Sequence, residues 1–310
     1  MDNFIKKAKA VTIGHAVADA LGVPIEFVDR EVLDDEPTTT MDGYGTHQMP
    51  AGSWSDDSSM AIATMDALSL YGIDYDRIML NFGRWYYHNE FTPTGFTFDI
   101  GMSSSKAINN YFMEKMGVDD CGERSVYSNG NGSLMRIYPI VLYLANEDVP
   151  ITNKIKIVEK VSALTHAHDR STIACGIYAF VLWELLKNPS KESILRGLEL
   201  AKTFYKVKSE AVYYDRLFEA VFALTKREDI SSKGYVVATL EAAVWCLLNS
   251  NSYSECVLKA VNLGDDTDTV GAVAGALAGA LYGYDAIPEE WRNTLIKRDE
   301  IEALVEKTYK

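Results

Sequence analysis

Apolar residues recur every three or four positions along most of this chain, a spacing typical of helices. It predicts helices over residues 3–21, 58–71, 75–88, 103–116, 153–165, 171–187, 191–205, 215–225, 235–249, 253–264, 270–282 and 298–309. Strand-like and helix-like runs do not alternate and hairpin signals do not recur, so we expect no parallel sheet. The polar segment 29–53, which carries glycine and proline, is predicted to be a surface loop. With no linker and no repeat, residues 1–310 are expected to form one compact all-α domain.

The charge and the cysteines narrow the class of protein. A formal charge of −14 over 310 residues argues against general nucleic-acid binding, because phosphate backbones need a basic surface. A small phosphorylated ligand is not excluded, since a few amides or one arginine can hold it. We find no signal peptide, and no run reaches the ~18–20 apolar residues of a membrane span. The four cysteines form no CxxC pair and are expected to be buried thiols. We therefore expect a cytoplasmic protein without membrane contact.

Two widely separated segments place carboxylates where a predicted helix begins. The first reads GSWSDDSSM (52–60) and the second reads LGDDTDTVG (263–271). Capping explains one aspartate in each, since an N-cap carboxylate accepts amide hydrogen bonds and complements the helix dipole. It does not explain Asp265, Asp266 and Asp268 together, because neighbouring carboxylates repel each other unless a cation lies between them. The pattern therefore favours a metal site.

The residues around these aspartates indicate which metals fit. Hydroxyl side chains flank the acids in both segments, and neither segment holds cysteine or histidine, so every donor is oxygen. Such a set suits Mg²⁺, Mn²⁺ or Ca²⁺ and disfavours zinc. If the two helix starts face each other, up to five carboxylates converge, enough for two divalent cations. The Gly/Ala-rich run that follows Val270 is expected to let helices approach closely and to hold the acids rigidly.

Five segments of the chain resemble, in the same order, the ADP-ribosylglycohydrolase family: ADALGVPIEF (18–27), GSWSDDSSM (52–60), FTPTGFTFDIG (91–101), NGNGSLMRIYP (129–139) with THAHDRS (165–171), and LGDDTDTVGAVAGALAGALYG (263–283). The resemblance runs from about residue 10 to residue 290, and the order of all five segments makes it specific. It implies an all-α, orthogonal multi-helix domain with a dinuclear metal site between helix N-termini. It also implies two divalent cations, Mg²⁺ or Mn²⁺, and cleavage of the glycosidic bond at C1″ of ADP-ribose.

The same resemblance assigns the metal ligands, which fall on Ser55, Asp56, Asp57, Asp266, Asp268 and Thr269. Asp265 lies just outside this set and is assigned to loop capping or to support of the ligands. The family's early glutamate, close to the metals and the scissile ribose, falls on Glu26, for which the alternative is an exposed surface glutamate. Ala18 stands where the family usually has glycine, a change that could shift the Glu26 loop slightly.

Catalytic roles are expected for Glu26, Asp57 and Asp99. Asp99 resembles the acid that nitrogenase-regulating members place beside the substrate, and the alternative is an N-cap for the helix that begins near residue 103. The turn NGNGSLMR (129–136) is a natural place for backbone amides to meet a pyrophosphate. Substrate contacts are expected from Gly101, Ser103, Asn131, Gly132, Ser133, Met135 and His166.

Expectations for three further side chains follow from their positions in or next to these segments. Arg136 is either a phosphate ligand or a buried structural cation, and His168 is expected to cap or pack locally. The segment 88–95 is expected to line the entrance of the site, where Glu90 would meet a guanidinium leaving group. His15, His47 and His88 receive no role.

The hypothesis that follows is hydrolysis of an N-linked ADP-ribosyl-arginine bond, with an ADP-ribosylated protein or a small ADP-ribose conjugate as substrate. The cations would fix the ribose hydroxyls and lower the pKa of water, and a carboxylate would take the proton of that water. The same fold acting on O-linked ADP-ribose, on serine or as O-acetyl-ADP-ribose, is the nearest alternative. A non-catalytic ADP-ribose binder and a metallophosphoesterase that cleaves the pyrophosphate are the others.

Overall fold

The computed structural model describes residues 3–310, and within that range only isolated bridges accompany the helices. The α-helices are α1 (Asn3–Gly22), α2 (Arg30–Asp35), α3 (Asp56–Tyr71), α4 (Tyr75–His88), α5 (Met102–Phe112), α6 (Tyr138–Ala145), α7 (Ile151–Ala163), α8 (Asp169–Lys187), α9 (Lys191–Tyr205), α10 (Val236–Leu248), α11 (Tyr253–Val261), α12 (Thr267–Tyr282), α13 (Glu289–Thr294) and α14 (Arg298–Thr308). The predicted all-α fold class is confirmed.

Helices α1 and α12 pack against each other at the centre of the fold, at a distance that only small residues allow. A Cβ added to Gly275 would lie 2.4 Å from the carbonyl oxygen of Gly14 and from the Cβ of Ala18. A Cβ on Gly22 would lie 2.3 Å from the Cα of Asp268. The predicted close approach of the Gly/Ala-rich helix is confirmed, and it brings the start of α12 against the end of α1.

The remaining core helices surround this central pair. Helix α3 packs against α4, α6 and α14, and α8 packs against α7, α9 and α10. Every residue of α8 from Arg170 to Leu186 is buried, which explains why its sequence is apolar nearly all round. Helices α3 and α12 therefore both begin inside the protein, where their first turns face each other.

The sequence prediction was wrong over residues 215–225. This segment forms two 3₁₀ turns, Arg216–Phe218 and Phe222–Leu224, in place of one α-helix. Its apolar residues do not share one face, since Leu217 and Phe222 are buried whereas Val221 and Leu224 are exposed. Without a continuous apolar stripe, tertiary contacts decide the backbone.

Three short helices were not predicted. Helices α2 and α13 have six residues each, too few to show a period, and α2 lies in the segment predicted as a loop. Helix α6 is apolar nearly throughout, so it has no polar face from which a period could be read.

The structure also bears on the expectations of buried free thiols and of no membrane-spanning segment. Within it, all four thiols are buried and none forms a disulfide, as predicted. Residues 3–310 also contain no helix with the length and apolar character needed to cross a membrane.

Candidate active site

In the first acidic segment, residues other than its two aspartates cap α3. The N-cap is Ser55, whose Oγ accepts a hydrogen bond of 3.3 Å from the amide of Asp57. Asp19 of α1 accepts hydrogen bonds from the amide of Ser55 (2.8 Å) and from the amide and hydroxyl of Ser58 (3.1 and 2.6 Å). The expectation that an aspartate of this segment caps the helix was therefore wrong, and neither the Asp56 nor the Asp57 carboxylate is used to cap α3.

The second acidic segment behaves similarly. Asp266 is the N-cap residue of α12, yet within residues 3–310 its carboxylate makes no capping bond and accepts one of 2.8 Å from Asn131 Nδ2. Oδ1 of Asp268 accepts the amide of Thr269 at 2.9 Å. Its Oδ2 is buried and has no hydrogen-bond partner among the residues that the structure describes. A buried carboxylate oxygen without a donor is what a cation site requires.

The two segments converge on two overlapping carboxylate clusters. Asp19, Asp57 and Asp268 each offer an oxygen within 4.8 Å of the others, and Glu26, Asp266 and Asp268 do the same. These two groups, joined through Asp268, are called the inner cluster below. Each donor is oxygen, which fits a hard divalent cation. Asp56 lies beside the inner cluster on the wall of the adjoining cavity.

Burial and mutual repulsion make the charged form of the inner cluster costly. Burial raises the pKa of Asp57 and of Asp268 well above the usual range, and neighbouring carboxylates raise both further. Burial also raises the pKa of Asp19 and of Glu26, each to about 7, against hydrogen bonds that favour their charged forms. Burial is likewise the main reason why the pKa is raised for Asp56 and Asp266. A bound cation would remove this cost.

Glu26 is held from two sides on the loop after α1. Its carboxylate is buried at 4% exposure, so the alternative of a solvated surface glutamate was wrong. The Nε2 of His47 makes a close hydrogen bond with Glu26 Oε2, and this contact raises the pKa of the imidazole. Asp265 supports the loop through its backbone, which accepts from the amide of Phe27 (2.6 Å) and donates to the carbonyl of Val28 (3.0 Å).

Asp99 lies close to this pair. Its carboxylate comes within 4.8 Å of ligand atoms of both Glu26 and His47. The N-cap of α5 is Gly101, so the alternative that Asp99 caps this helix was wrong. His47, which the sequence left without a role, is brought here by the loop before α3, and no motif in the sequence marks it.

A cavity of about 640 Å³ leads from the surface to the inner cluster. The predicted substrate residues in its wall are Gly101, Ser103, Asn131, Gly132, Met135 and His166. Burial lowers the pKa of His166 to about 3, so its ring is neutral. Over the described range no lysine or arginine lines this cavity. Any anionic ligand must therefore be held by amides, hydroxyls and bound cations.

Two residues that were expected to meet the substrate lie outside this cavity. Ser133 Oγ faces the core, where it accepts from Ser162 Oγ at 2.9 Å, so the structure does not bring it to the cavity wall. Glu90 pairs with Arg84 on the surface, and no residue of the segment 88–95 is among the described residues that line the cavity. The structure therefore does not bring the Ser133 hydroxyl or the Glu90 carboxylate to this cavity.

Two other predicted side chains have structural roles. Arg136 is buried, donates to Thr165 Oγ1 at 2.6 Å and stacks on Phe82, which makes it a structural cation rather than a phosphate ligand. His168 caps α8 by accepting the amide of Arg170 at 3.2 Å, as predicted.

Other cavity residues were not predicted. Ser104 is fully buried in the cavity wall, and its Oγ has no partner in the part of the chain that the structure describes. Phe27, Tyr127 and Tyr235 add aromatic surface near the opening. Single aromatic or hydroxyl residues carry no motif, so only the folded chain shows that they meet.

Comparison with known proteins identifies the family to which this architecture belongs. A family model described as ADP-ribosylglycohydrolase matches residues 1–310. The chain belongs to the ADP-ribosylglycohydrolase family. Like other members it is a hydrolase of glycosidic bonds to ADP-ribose.

Three individual family members illustrate the similarity. ADP-ribosylarginine hydrolase Tri1 of Serratia proteamaculans (strain 568) is 31% identical over 306 residues, which cover 98% of this chain and 79% of that protein. ADP-ribosyl-[dinitrogen reductase] glycohydrolase of Rhodospirillum rubrum is 27% identical over 299 residues, which cover 93% and 90%. A solved structure titled "ADP-ribosylglycohydrolase-related protein complex" superposes with a TM-score of 0.84 at 30% identity and covers 100% of this chain and 99% of that one.

Proposed function

We propose that this family member is a metal-dependent hydrolase that cleaves the C1″ N-glycosidic bond of ADP-ribose attached to arginine side chains. The cavity that ends at the buried inner cluster is the observation that carries the proposal. Two relatives that are 31% and 32% identical are named ADP-ribosylarginine hydrolases, which supports the arginine linkage. The products would be free ADP-ribose and an unmodified arginine.

Two divalent cations, Mg²⁺ or Mn²⁺, are proposed as cofactors. The unpartnered Oδ2 of Asp268 within residues 3–310, the all-oxygen donor set and the raised carboxylate pKa values support a cation here. The proposed ligands are Ser55, Asp56, Asp57, Asp266, Asp268 and Thr269. When bound, such cations would supply Lewis-acid charge beside the ribose and lower the pKa of water.

Three acidic residues of the protein are proposed to carry the other roles in the reaction. Glu26 is the proposed general base, because its carboxylate lines the cavity, is shielded from solvent and is held by His47. Asp99, on the same wall, is placed to stabilise positive charge that develops on the ribose as the bond breaks. Asp57 lies behind the cavity wall in the inner cluster, so we assign it to holding cations rather than to contact with substrate.

Backbone amides are proposed to hold the pyrophosphate. The N-terminus of helix α5 lies at the cavity wall. Its N-cap residue is Gly101, which has no side chain that could cap the helix. Free amides at a helix N-terminus bind anions. Ser104 Oγ and the turn from Asn129 to Gly132 add further donors to the same wall.

The acidity of the site supports a cationic leaving group. Glu26 and Asp99 face the cavity without any lysine or arginine among the described lining residues, and the whole chain carries a charge of −14. An arginine guanidinium is attracted to such a surface, whereas a serine hydroxyl gains nothing from it. This difference favours the N-linked substrate over the O-linked one.

Product analysis tests this proposal. An arginine-ADP-ribosylated protein is incubated with the enzyme and Mg²⁺, and the small products are identified by mass spectrometry. We expect intact ADP-ribose and the full mass of the unmodified protein. Release of AMP, with ribose phosphate left on the arginine, would instead show cleavage of the pyrophosphate and would overturn the glycosidase mechanism.

A further inference from the structure

Beside the inner cluster, His47, Glu26 and Asp99 form a second group of potential ligands. Each offers one atom, and the three atoms lie within 4.8 Å of one another. We propose that this group, called the outer site, binds a borderline divalent ion such as Zn²⁺ and that this ion inhibits the enzyme. The binding part stands on these three residues alone, and the inhibition part rests on the proposed function of Glu26.

The donor chemistry separates the outer site from the inner cluster. The inner cluster offers only carboxylate oxygens, which suit Mg²⁺, whereas the outer site adds an imidazole nitrogen. Nitrogen donors favour Zn²⁺ over Mg²⁺, and one histidine with two carboxylates is a ligand set that zinc accepts. Three protein ligands also leave a fourth position open to water.

The outer site needs little rearrangement to bind an ion. The ring of His47 packs against Phe98 and Phe27, with centroid distances of 5.2 and 6.2 Å, which fixes its direction. Its Nε2 already contacts the Glu26 carboxylate, and the two side chains are only 14% and 4% exposed. On binding, Zn²⁺ takes the place of the proton between these two atoms, and that proton leaves to solvent.

The local charge also favours a cation. Glu26 lies within reach of Asp99 on one side and of Asp266 and Asp268 on the other. Among the described residues that line the cavity, none is a lysine or arginine that could neutralise these carboxylates. Glu26 and Asp99 therefore offer two negative charges to a doubly charged ion at the outer site, also when bound cations balance Asp266 and Asp268.

Inhibition follows because Glu26 belongs to both groups. Coordination at the outer site occupies the lone pairs of its carboxylate and directs the group away from Asp266 and Asp268. Glu26 can then no longer accept the proton of the attacking water. Mg²⁺ and Zn²⁺ would thus have opposite effects on one enzyme through neighbouring sites.

Zinc binding is measured first, on protein saturated with Mg²⁺, by competition with a chromogenic chelator. The variants are His47→Gln, which removes the imidazole but keeps an amide donor for Glu26, and Asp99→Asn. His88→Gln is the matched control, because this histidine is exposed on α4 and lies outside the cavity. We expect both outer-site variants to bind Zn²⁺ about 10- to 100-fold more weakly, with the control unchanged. Equal affinity and stoichiometry in wild type and in both outer-site variants would overturn the site.

Inhibition is measured second, as the ratio of activity with and without Zn²⁺ for each folded variant at saturating Mg²⁺. Wild type and His88→Gln should be inhibited at low Zn²⁺, and His47→Gln should resist it. Equal inhibition of all three would mean that Zn²⁺ displaces Mg²⁺ from the inner cluster, which contradicts the inhibition part. If no substrate is turned over, the proposed function fails, whereas the binding experiment still tests the outer site.

Discussion

The hydroxyl of Thr269 donates a hydrogen bond of 3.3 Å to Oδ1 of Asp57 and so joins the first turn of α12 to the first turn of α3. The two residues are 212 positions apart in the chain. Both helices reach this point because α1 packs along α12 while Asp19 of α1 accepts the first amides of α3. The inner cluster is thus assembled by packing around one central helix.

The first prediction concerns the inner cluster. Asp57→Asn and Asp268→Asn should each lower turnover by about 100-fold or more, because a neutral amide cannot balance a cation. Without metal, both variants should be more stable than wild type by about 1–3 kcal/mol, since a buried like charge is removed. Activity assays and urea unfolding in EDTA measure the two effects.

The surface variant Asp285→Asn serves as the control for both measurements. This aspartate is exposed and pairs with Lys6 at the surface, so the free energy of unfolding should change by less than about 0.5 kcal/mol. If Asp57→Asn and Asp268→Asn kept full activity and lost stability without metal, the metal-centred account would be wrong.

The second prediction concerns pH. The carboxylate pKa values of Asp19 and Glu26 are raised to about 7, and those of Asp57 and Asp268 are raised well above normal. The folded, metal-free protein therefore binds more protons than the unfolded chain, and it loses stability as the pH rises from about 4 through these values. Cations compete with the protons, so Mg²⁺ should stabilise the protein more in alkaline than in acidic buffer.

The difference in melting temperature with and without Mg²⁺, measured near pH 8 and near pH 5, checks this expectation. Near pH 8, Mg²⁺ should raise the free energy of unfolding by about 2.7 kcal/mol at a cation concentration of 100 times Kd. The buried His15 and His166 have lowered pKa values and act in the opposite direction, but they contribute with and without Mg²⁺. A gain that is equal at both pH values, or larger near pH 5, contradicts the raised carboxylate pKa values.

The third prediction concerns Asp19, which motif reasoning left without a role. In Asp19→Ala the amides of Ser55 and Ser58 and the Ser58 hydroxyl all lose their acceptor. We expect a loss of about 2–4 kcal/mol in the free energy of unfolding, opposite in sign to the effect of Asp57→Asn. Urea unfolding in EDTA measures both variants side by side. A gain in stability for Asp19→Ala would show that it acts only as a repelling charge.

Most of the helices, and the members of the inner cluster other than Asp19, could be predicted from the sequence for a physical reason. Helices with a polar and an apolar face show a helical period in the sequence. The aspartates of both segments lie next to helix starts, which local sequence patterns also indicate. His47 and Ser104 carry no such local signal, because their function comes only from contacts made in the fold. Ser133 shows the converse, since it sits within a cavity-lining turn but points into the core.

The fourth prediction tests the central helix pair. Gly275→Ala should destabilise the protein by about 1–3 kcal/mol or more, because its Cβ would meet the Gly14 carbonyl and Ala18 at 2.4 Å. Gly117→Ala is the matched control, since an added Cβ there meets no atom of residues 3–310 within 4 Å. The melting temperature of Gly275→Ala should therefore be clearly lower than that of Gly117→Ala. Similar melting temperatures for both would contradict the close packing of α1 and α12.

The fifth prediction separates two serines near the substrate. Ser104→Ala should raise KM with little change in kcat, because Ser104 belongs to the cavity wall where we place the pyrophosphate and its Oγ has no partner among the described residues. Ser133→Ala should leave KM unchanged, because its hydroxyl faces Ser162 and Cys175 in the core. Steady-state kinetics of both variants on the same substrate give the KM and kcat values that test these expectations. A raised KM in the Ser133 variant alone would reverse these assignments.

The most direct test of the account compares an arginine-ADP-ribosylated protein with a serine-ADP-ribosylated peptide, each with Mg²⁺ and with EDTA. Released ADP-ribose is quantified by mass spectrometry. We expect release from the arginine-linked substrate, dependence of that release on Mg²⁺, and little release from the serine-linked peptide. Faster release from the serine-linked peptide would contradict the proposed linkage, and undiminished release in EDTA would contradict the role of the inner cluster as a metal site.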